Sequence, residues 1–270
     1  MDLASIIGFV IIVASILLTV LASFTGLGDA LPKGGGGLLD TASFICVIGG
    51  MVGATFVTFS MANMGSFAKI FGQVMKPQME SNQSIEMMQK LIEIGTEARR
   101  GGILSVEPLV AQLDDPFLQK AMQLAVDGRD ADEIRSTLTG ELTFMSNRHD
   151  TGASMFDTMN KYCPAFGMIG TLLGLIAMLG NMGGAGMDIS ALTGGMATAL
   201  ITTLYGSVFA NCLFAPVCDN LKSKSKAEAT YREIAIEGVA MIAATTPPPQ
   251  MRSRFQSFLA PQDQDALDAS

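Results

Sequence analysis

Thr171 and Thr203 are the residues whose setting in this chain best suits chemistry, and that chemistry is ligation of a hard cation. Each lies in a long apolar run, residues 164–181 and 189–218, that holds no Asp, Glu, Lys, Arg or His. On the first run Gly167, Gly170, Thr171 and Gly174 recur at three and four, and on the second Gly195, Ala199, Thr203, Gly206 and Ala210 do the same. At helical spacing each set shares one face. Lipid tails are as apolar as leucine, so membrane helices associate through close backbone approach and hydrogen bonds, which small residues permit. Simple tight packing accounts for any one glycine; two stripes with a hydroxyl in each also read as a polar track. Hydroxyls and broken helices supply oxygen ligands to Na⁺ in transporters. A threonine is neutral, however, and an uncompensated cation in hydrocarbon is costly. The neutralising carboxylate must therefore come from another chain.

Pro164 opens the first of these runs and Pro216 closes the second. Proline has no N–H and leaves the carbonyl four residues earlier unpaired, here those of Asn160 and Cys212. In a membrane such oxygens are satisfied by water, a side chain or a cation. A plain kink is the competing reading of Pro164.

The elements that must position these residues are membrane helices. The 270 residues are 49% hydrophobic, with a mean hydropathy of +0.39, too apolar for an ordinary soluble domain. A span takes roughly 20 apolar residues to cross a core about 30 Å thick. Residues 3–27, 38–59, 164–182 and 189–217 qualify. The first run follows Asp2 and lacks a basic flank, so it reads as a retained helix rather than a signal peptide. All but Lys33 of the 17 Lys and Arg residues lie between the second and third runs or after the fourth. The positive-inside rule then puts the central segment and both termini in the cytoplasm, with residues 28–37 and 183–188 outside.

The expected fold is all-α, a polytopic membrane protein with four transmembrane helices and a helical cytoplasmic domain between the second and third spans. Its parts are a first hairpin (1–60), the cytoplasmic domain (61–163), a second hairpin (164–218) and a C-terminal helix with an acidic tail (219–270). Gly34–Gly37 reads as a flexible outer turn. Ser84 caps a helix carrying Ile85, Met88, Leu91 and Ile92 and ending at Gly101-Gly102. Asp115-Pro116 starts another that ends near Gly128. From Asp130 an unbroken stretch leads into the third span, so one long helix joins cytoplasm to membrane. Residues 219–244 form a separate helix that Pro247–Pro249 ends, and a short amphipathic piece (252–259) follows.

The net charge of −8 argues against nucleic acid as a partner. Cys46, Cys163, Cys212 and Cys218 form no CxxC pair and read as small buried hydrophobes. His149 reads as a surface or packing residue. No nucleophile–base pair, metal constellation or phosphate loop stands out, so an enzyme is the weakest reading, and no cofactor is expected beyond a transported cation. A four-span scaffold or receptor without an ion path remains as a different class.

"CPAFGMIGTLLGLIAML" (163–179) and "ITTLYG" (201–206) closely resemble the third and fourth spans of the flagellar stator A-subunit, the MotA/PomA family. "EARRGGILSVE" (97–107), "AVDGRDADEIR" (125–135) and "NRHDTGASMF" (147–156) resemble that family's cytoplasmic landmarks. The likeness covers nearly the whole chain in order, apart from the Gly-rich outer loop and the acidic tail.

The resemblance implies a multi-pass protein of the bacterial inner membrane, with five A-subunits around two copies of a single-span B-subunit (MotB/PomB-like) whose membrane aspartate carries the ion. Ion passage would turn the ring and drive the flagellar rotor. By motif, Pro164 and Pro216 match the family's prolines, and Gly167, Gly170, Gly174 and Gly206 serve helix packing. Thr171 and Thr203 stand where the sodium-driven branch has threonine, so Na⁺ is the expected ion, with Tyr205 in the intact "TTLYG" beside the path. Arg99, Arg100 and Glu107 match charged positions facing the rotor's switch protein; by themselves they would read as a solvated helix end. Asp40 matches an aspartate at the outer start of the second span, where it either concentrates cations or caps the helix. A proton-driven stator and an ExbB/TolQ-like energising subunit are the alternatives, the latter having three spans.

Overall fold

The computed structural model describes residues 3–25, 33–34, 39–75, 77, 81–180, 182, 189–264 and 267. Most of the outer loops, and Asp265 and Asp268 of the acidic tail, lie outside the described residues.

Helices dominate. α1 (Leu3–Thr25) is followed by a short antiparallel ladder, β1 (Lys33–Gly34) on β2 (Leu39–Asp40), with Lys33 opposite Asp40 and Gly34 opposite Leu39. Apart from this two-residue ladder the elements among the described residues are helical, as expected of an all-α fold. Gly35–Gly37 of the expected outer turn fall outside the described residues. α2 (Thr41–Thr58) contains a π-helical turn at Ile45–Gly49. Short helices α3 (Met61–Gly65) and α4 (Phe67–Gln73) follow, then α5 (Ser81–Gly101). A 3₁₀ turn (Ile103–Val106) leads into α6 (Glu107–Val110), and α7 (Pro116–Val126) comes next. α8 (Ala131–Gly180) is a single helix of 50 residues, about 75 Å long at ~1.5 Å per residue. α9 (Ile189–Val208), a π-helical turn (Phe209–Phe214) and α10 (Ala215–Ala243) run on without a break, and α11 (Pro248–Gln256) closes the order.

Three of these helices are long and apolar enough to cross a membrane among the described residues: α2, α8, and the run from α9 into α10. α1 holds a shorter apolar stretch at Ile6–Leu21.

Local chemistry explains most boundaries. Asp115 caps α7, its Oδ1 accepting from Phe117 N at 2.8 Å, and Pro116 takes the first helical position. Gly128, at φ 81°, ends that segment in a conformation that costs glycine little. Asp130 Oδ1 accepts from Glu133 N at 2.8 Å at the start of α8. Asp132 and Glu133 in its first turn favour the positive end of the helix dipole. Pro164 lies inside α8 and does not break it.

Three boundaries differ from expectation. α5 starts at Ser81, so Ser84 lies within the helix and is not its cap. Pro216 does not close the fourth apolar helix, because the π-turn just before it has already shifted the bonding register. Ala215 N–H reaches Ala210 O, five residues back, and Pro216 becomes the second residue of α10. The C-terminal helix is therefore continuous with the fourth apolar run. Finally, α10 stops at Ala243, before the prolines, and Pro248 and Pro249 open α11.

The chain divides into two compact units, Met1–Lys76 with Thr151–Leu221, and Pro77–Asp150 with Lys222–Ser270. In the second unit Met88, Leu91, Met122, Ile134, Leu138, Ile234, Met251 and Phe255 build the core. Tyr231 hydrogen-bonds Asp115 there; burial first, and then that carboxylate, push its phenol up to about 12. Glu237 receives Arg135 Nε at 3.0 Å and Arg254 Nε at 3.2 Å, tying α8, α10 and α11. The hydrogen bond to Glu237 first, and Asp132 after it, raise the Arg135 pKa against the opposing effect of burial. In the first unit Val47, Met51, Phe156, Met159, Cys163, Ala210 and Phe214 form the core, and Phe67 stacks on Phe156 with centroids 5.0 Å apart.

Candidate cation site

α8 and α9 meet through small residues. A methyl group on Gly174 would stand 2.8 Å from Gly195 O and 2.9 Å from Ala199 N, and one on Gly206 would stand 2.8 Å from Cys163 O. At Gly167 the nearest atom would be Thr202 O at 3.2 Å, and at Gly170 a methyl would collide with the Thr202 side chain. Pro164 lies at the same level, its Cα 3.3 Å from a methyl on Gly206. Main chain therefore touches main chain, which only glycine allows.

At the edge of this contact the two threonines come together. Thr171 Oγ1 and Thr203 Oγ1 are 2.5 Å apart. Thr171 Oγ1 lies 2.9 Å from Gly167 O and 3.2 Å from Ala199 O; Thr203 Oγ1 lies 3.1 Å from the same Ala199 O. Four oxygens thus share one spot, and two hydroxyl protons serve four close oxygen pairs. Oxygens of this kind are what a hard cation takes as ligands. Ala199 is buried, Thr171 half-buried and Thr203 exposed, so the cluster is sealed on one side and open on the other. Leu172, Leu200 and Leu204, close to the two threonines in sequence, are exposed.

Thr202 is a residue that sequence reasoning passed over. It is fully buried, bonds Thr198 O and fills the groove against Gly170. The doubled threonine of "ITTLYG" was the available signal: neighbours on a helix point about 100° apart, so one faces the groove and the other its rim.

Tyr205 and Asp40 meet away from the threonines. Tyr205 Oη accepts from Asp40 N–H at 3.1 Å. The Asp40 carboxylate caps α2, accepting from Ser43 N at 2.9 Å and from the Ser43 hydroxyl. Phe44 packs edge-on to Tyr205 with centroids 6.1 Å apart.

A protein-family model described as the MotA/TolQ/ExbB proton channel family matches residues 110–234. Motility protein A of Borreliella burgdorferi is 36% identical over 270 residues, an alignment that takes in 100% of this chain and 98% of the relative. The chain belongs to the MotA family.

Chemotaxis protein PomA of Vibrio alginolyticus is 32% identical to this MotA-family chain over 259 residues, 96% of each. The structure of the flagellar MotAB stator complex from Bacillus subtilis superposes with a TM-score of 0.74 at 28% identity, covering 93% of this chain and 97% of that one. The MotA family consists of channel and motility proteins, and this chain is not an enzyme.

The remaining candidates of this MotA-family chain lie elsewhere. Arg99 and Arg100 are exposed in the last turn of α5, and Glu107 is the exposed first residue of α6. Each sits at the helix end whose dipole its charge complements. Gly102, at φ 84°, makes the turn between them. His149 Nδ1 lies 3.8 Å from Glu228 Oε2. None of the four cysteines is in a disulfide; Cys46, Cys163 and Cys218 are buried, whereas Cys212 is exposed.

Proposed function

We propose that this chain is the A-subunit of a flagellar stator that, with a B-subunit, couples inward flow of Na⁺ to rotation of the flagellar rotor. The observation that carries this reading is the Thr171–Thr203 oxygen cluster between two apolar runs, residues 164–181 and 189–218, that hold no Asp, Glu, Lys, Arg or His. A cation at that cluster needs a carboxylate from outside, and a single-span partner with a membrane aspartate supplies one. Leu200 and Leu204, exposed on the same helix as Thr203, suit contact with such a helix. The names of the relatives, Motility protein A and PomA, and the likeness to the flagellar MotAB stator complex support the same assignment.

In this reading the protein crosses the inner membrane four times, with α1 as the first span and both termini in the cytoplasm. Five copies surround two B-subunits. Pro164 and Pro216 relieve the helix ladder at the inner ends of the two ion-path helices. Arg99, Arg100 and Glu107 meet the rotor's switch protein through exposed charge pairs worth roughly 0–1 kcal/mol each, weak enough to release at every step.

Proton coupling is the second reading, favoured by the description of the family as a proton channel family. Swimming speed of a complemented strain, measured against external Na⁺ at fixed proton-motive force, separates the two. Saturable dependence on Na⁺ is expected; speed indifferent to Na⁺ overturns the sodium assignment.

A further inference from the structure

The contact between Asp40 and Tyr205 supports an inference that rests on the cation path proposed above and deepens it. The Asp40 N–H donates to Tyr205 Oη at 3.1 Å. The Asp40 carboxylate is engaged with Ser43 in the cap of α2, so this N–H is held by a closed turn rather than a loose loop. The Tyr205 ring is gripped as well. It stands 6.1 Å from Phe44 and 6.4 Å from Phe209, centroid to centroid, and Phe44 and Phe209 are 6.0 Å apart.

Tyr205 follows Thr203 by two residues. At about 100° per residue the two side chains leave α9 on nearly opposite sides. Between them, the face turned to α8 consists of Gly195, Ala199, Thr202 and Gly206. On that face Thr202 fills the groove against Gly170, and the flanks of α9 share with it in setting how the helix is turned about its own axis. A side chain on the far flank, bonded to another helix, helps set that turn.

We propose that Tyr205 is a positioning residue: through the Asp40 N–H it fixes the rotation of α9 and thereby holds Thr203 Oγ1 beside Thr171 Oγ1. The hydroxyl acts on the cation site from the other side of the helix and does not touch the cation. Loss of the bond lets α9 turn and separates the two threonines, so the site binds its ion more weakly while its chemistry remains.

The test uses Tyr205→Phe, which keeps the ring and removes the acceptor, in the full stator with its B-subunit. The readout is the half-saturating Na⁺ concentration at fixed proton-motive force, taken per stator from torque steps as units join a motor, so a change in stator number does not enter. The expected result is a rise of roughly 2- to 10-fold, the range for loss of one neutral hydrogen bond. An unchanged half-saturating concentration overturns the proposal. So does a lower membrane level without that change, because it marks a role in stability only. Thr171→Ala combined with Thr203→Ala is run in parallel. If that pair leaves Na⁺ dependence unchanged, the cation path itself fails; if it shifts the dependence and Tyr205→Phe does not, only the positioning role fails.

Discussion

Thr171 and Thr203 share one carbonyl oxygen, that of Ala199, at 3.2 and 3.1 Å, and stand 2.5 Å from each other. Residues 32 positions apart in sequence thus act as one unit. Their replacement is expected to be non-additive. Thr171→Ala and Thr203→Ala should each raise the half-saturating Na⁺ concentration, and the double variant should add little beyond the larger single effect, with a coupling of about 0.5–3 kcal/mol. Serine at either place keeps the hydroxyl and should stay nearer to wild type. Additive losses in a cycle of swimming-speed titrations would separate the two threonines.

Close approach of the main chains makes a second test. A methyl on Gly195 would stand 2.9 Å from Gly174 O, whereas Gly194, its neighbour, has open space where a methyl would go. Gly195→Ala forces two backbones apart and should destabilise the protein by about 1–3 kcal/mol. Gly194→Ala should be neutral or slightly stabilising, since alanine is the better helix former by up to about 1 kcal/mol. Thermal unfolding in detergent, followed by circular dichroism, compares the two; equal melting temperatures would deny that contact its importance.

Alkaline stability should report Tyr231. Its phenol is pushed from an ordinary value of 10 up to about 12 by burial and by Asp115. The folded state therefore keeps a proton that the unfolded chain has already lost. The contribution is complete below pH 10 and falls as pH rises through 12. Tyr231→Phe cannot ionise and should flatten the decline across that window. Denaturant titrations of both proteins at several pH values check the slope, and parallel curves would count against this assignment.

Charge at the α5–α6 turn gives a fourth expectation. Arg99→Glu with Arg100→Glu should slow motility severalfold and leave the amount of protein in the membrane unchanged, because both side chains are exposed and serve no core. Exposed charges are screened by salt and contribute little to stability. Wild-type swimming by this variant would remove the rotor contact.

Much of this arrangement was legible beforehand because it is periodic or local. The stripe of Gly167, Gly170 and Gly174 shows its spacing in the sequence, and Asp115-Pro116 and Asp130 announce helix starts by residue type. A long helix through Pro164 could be read from the absence of a breaker upstream. What escaped notice depends on partners distant in sequence or on hydrogen-bond register. Nothing near Asp40 in sequence announces Tyr205, 165 positions away. The π-turns at Ile45–Gly49 and Phe209–Phe214 are single-residue changes in ladder register without a composition signal, and the second carried the helix past Pro216. The Glu237 contacts with Arg135 and Arg254 likewise bring together residues from three helices.

Because α8 and α9 touch through carbonyls and α-carbons at Gly174, Gly195 and Gly206, the gap between them is set by peptide geometry and leaves no side chain to trim. On the cation path proposed above, ion preference would then rest on the rim. There, exchanging a hydroxyl for a methyl at Thr171 or Thr203 would change the ligands offered without disturbing the framework, so that fuel choice and architecture could evolve separately.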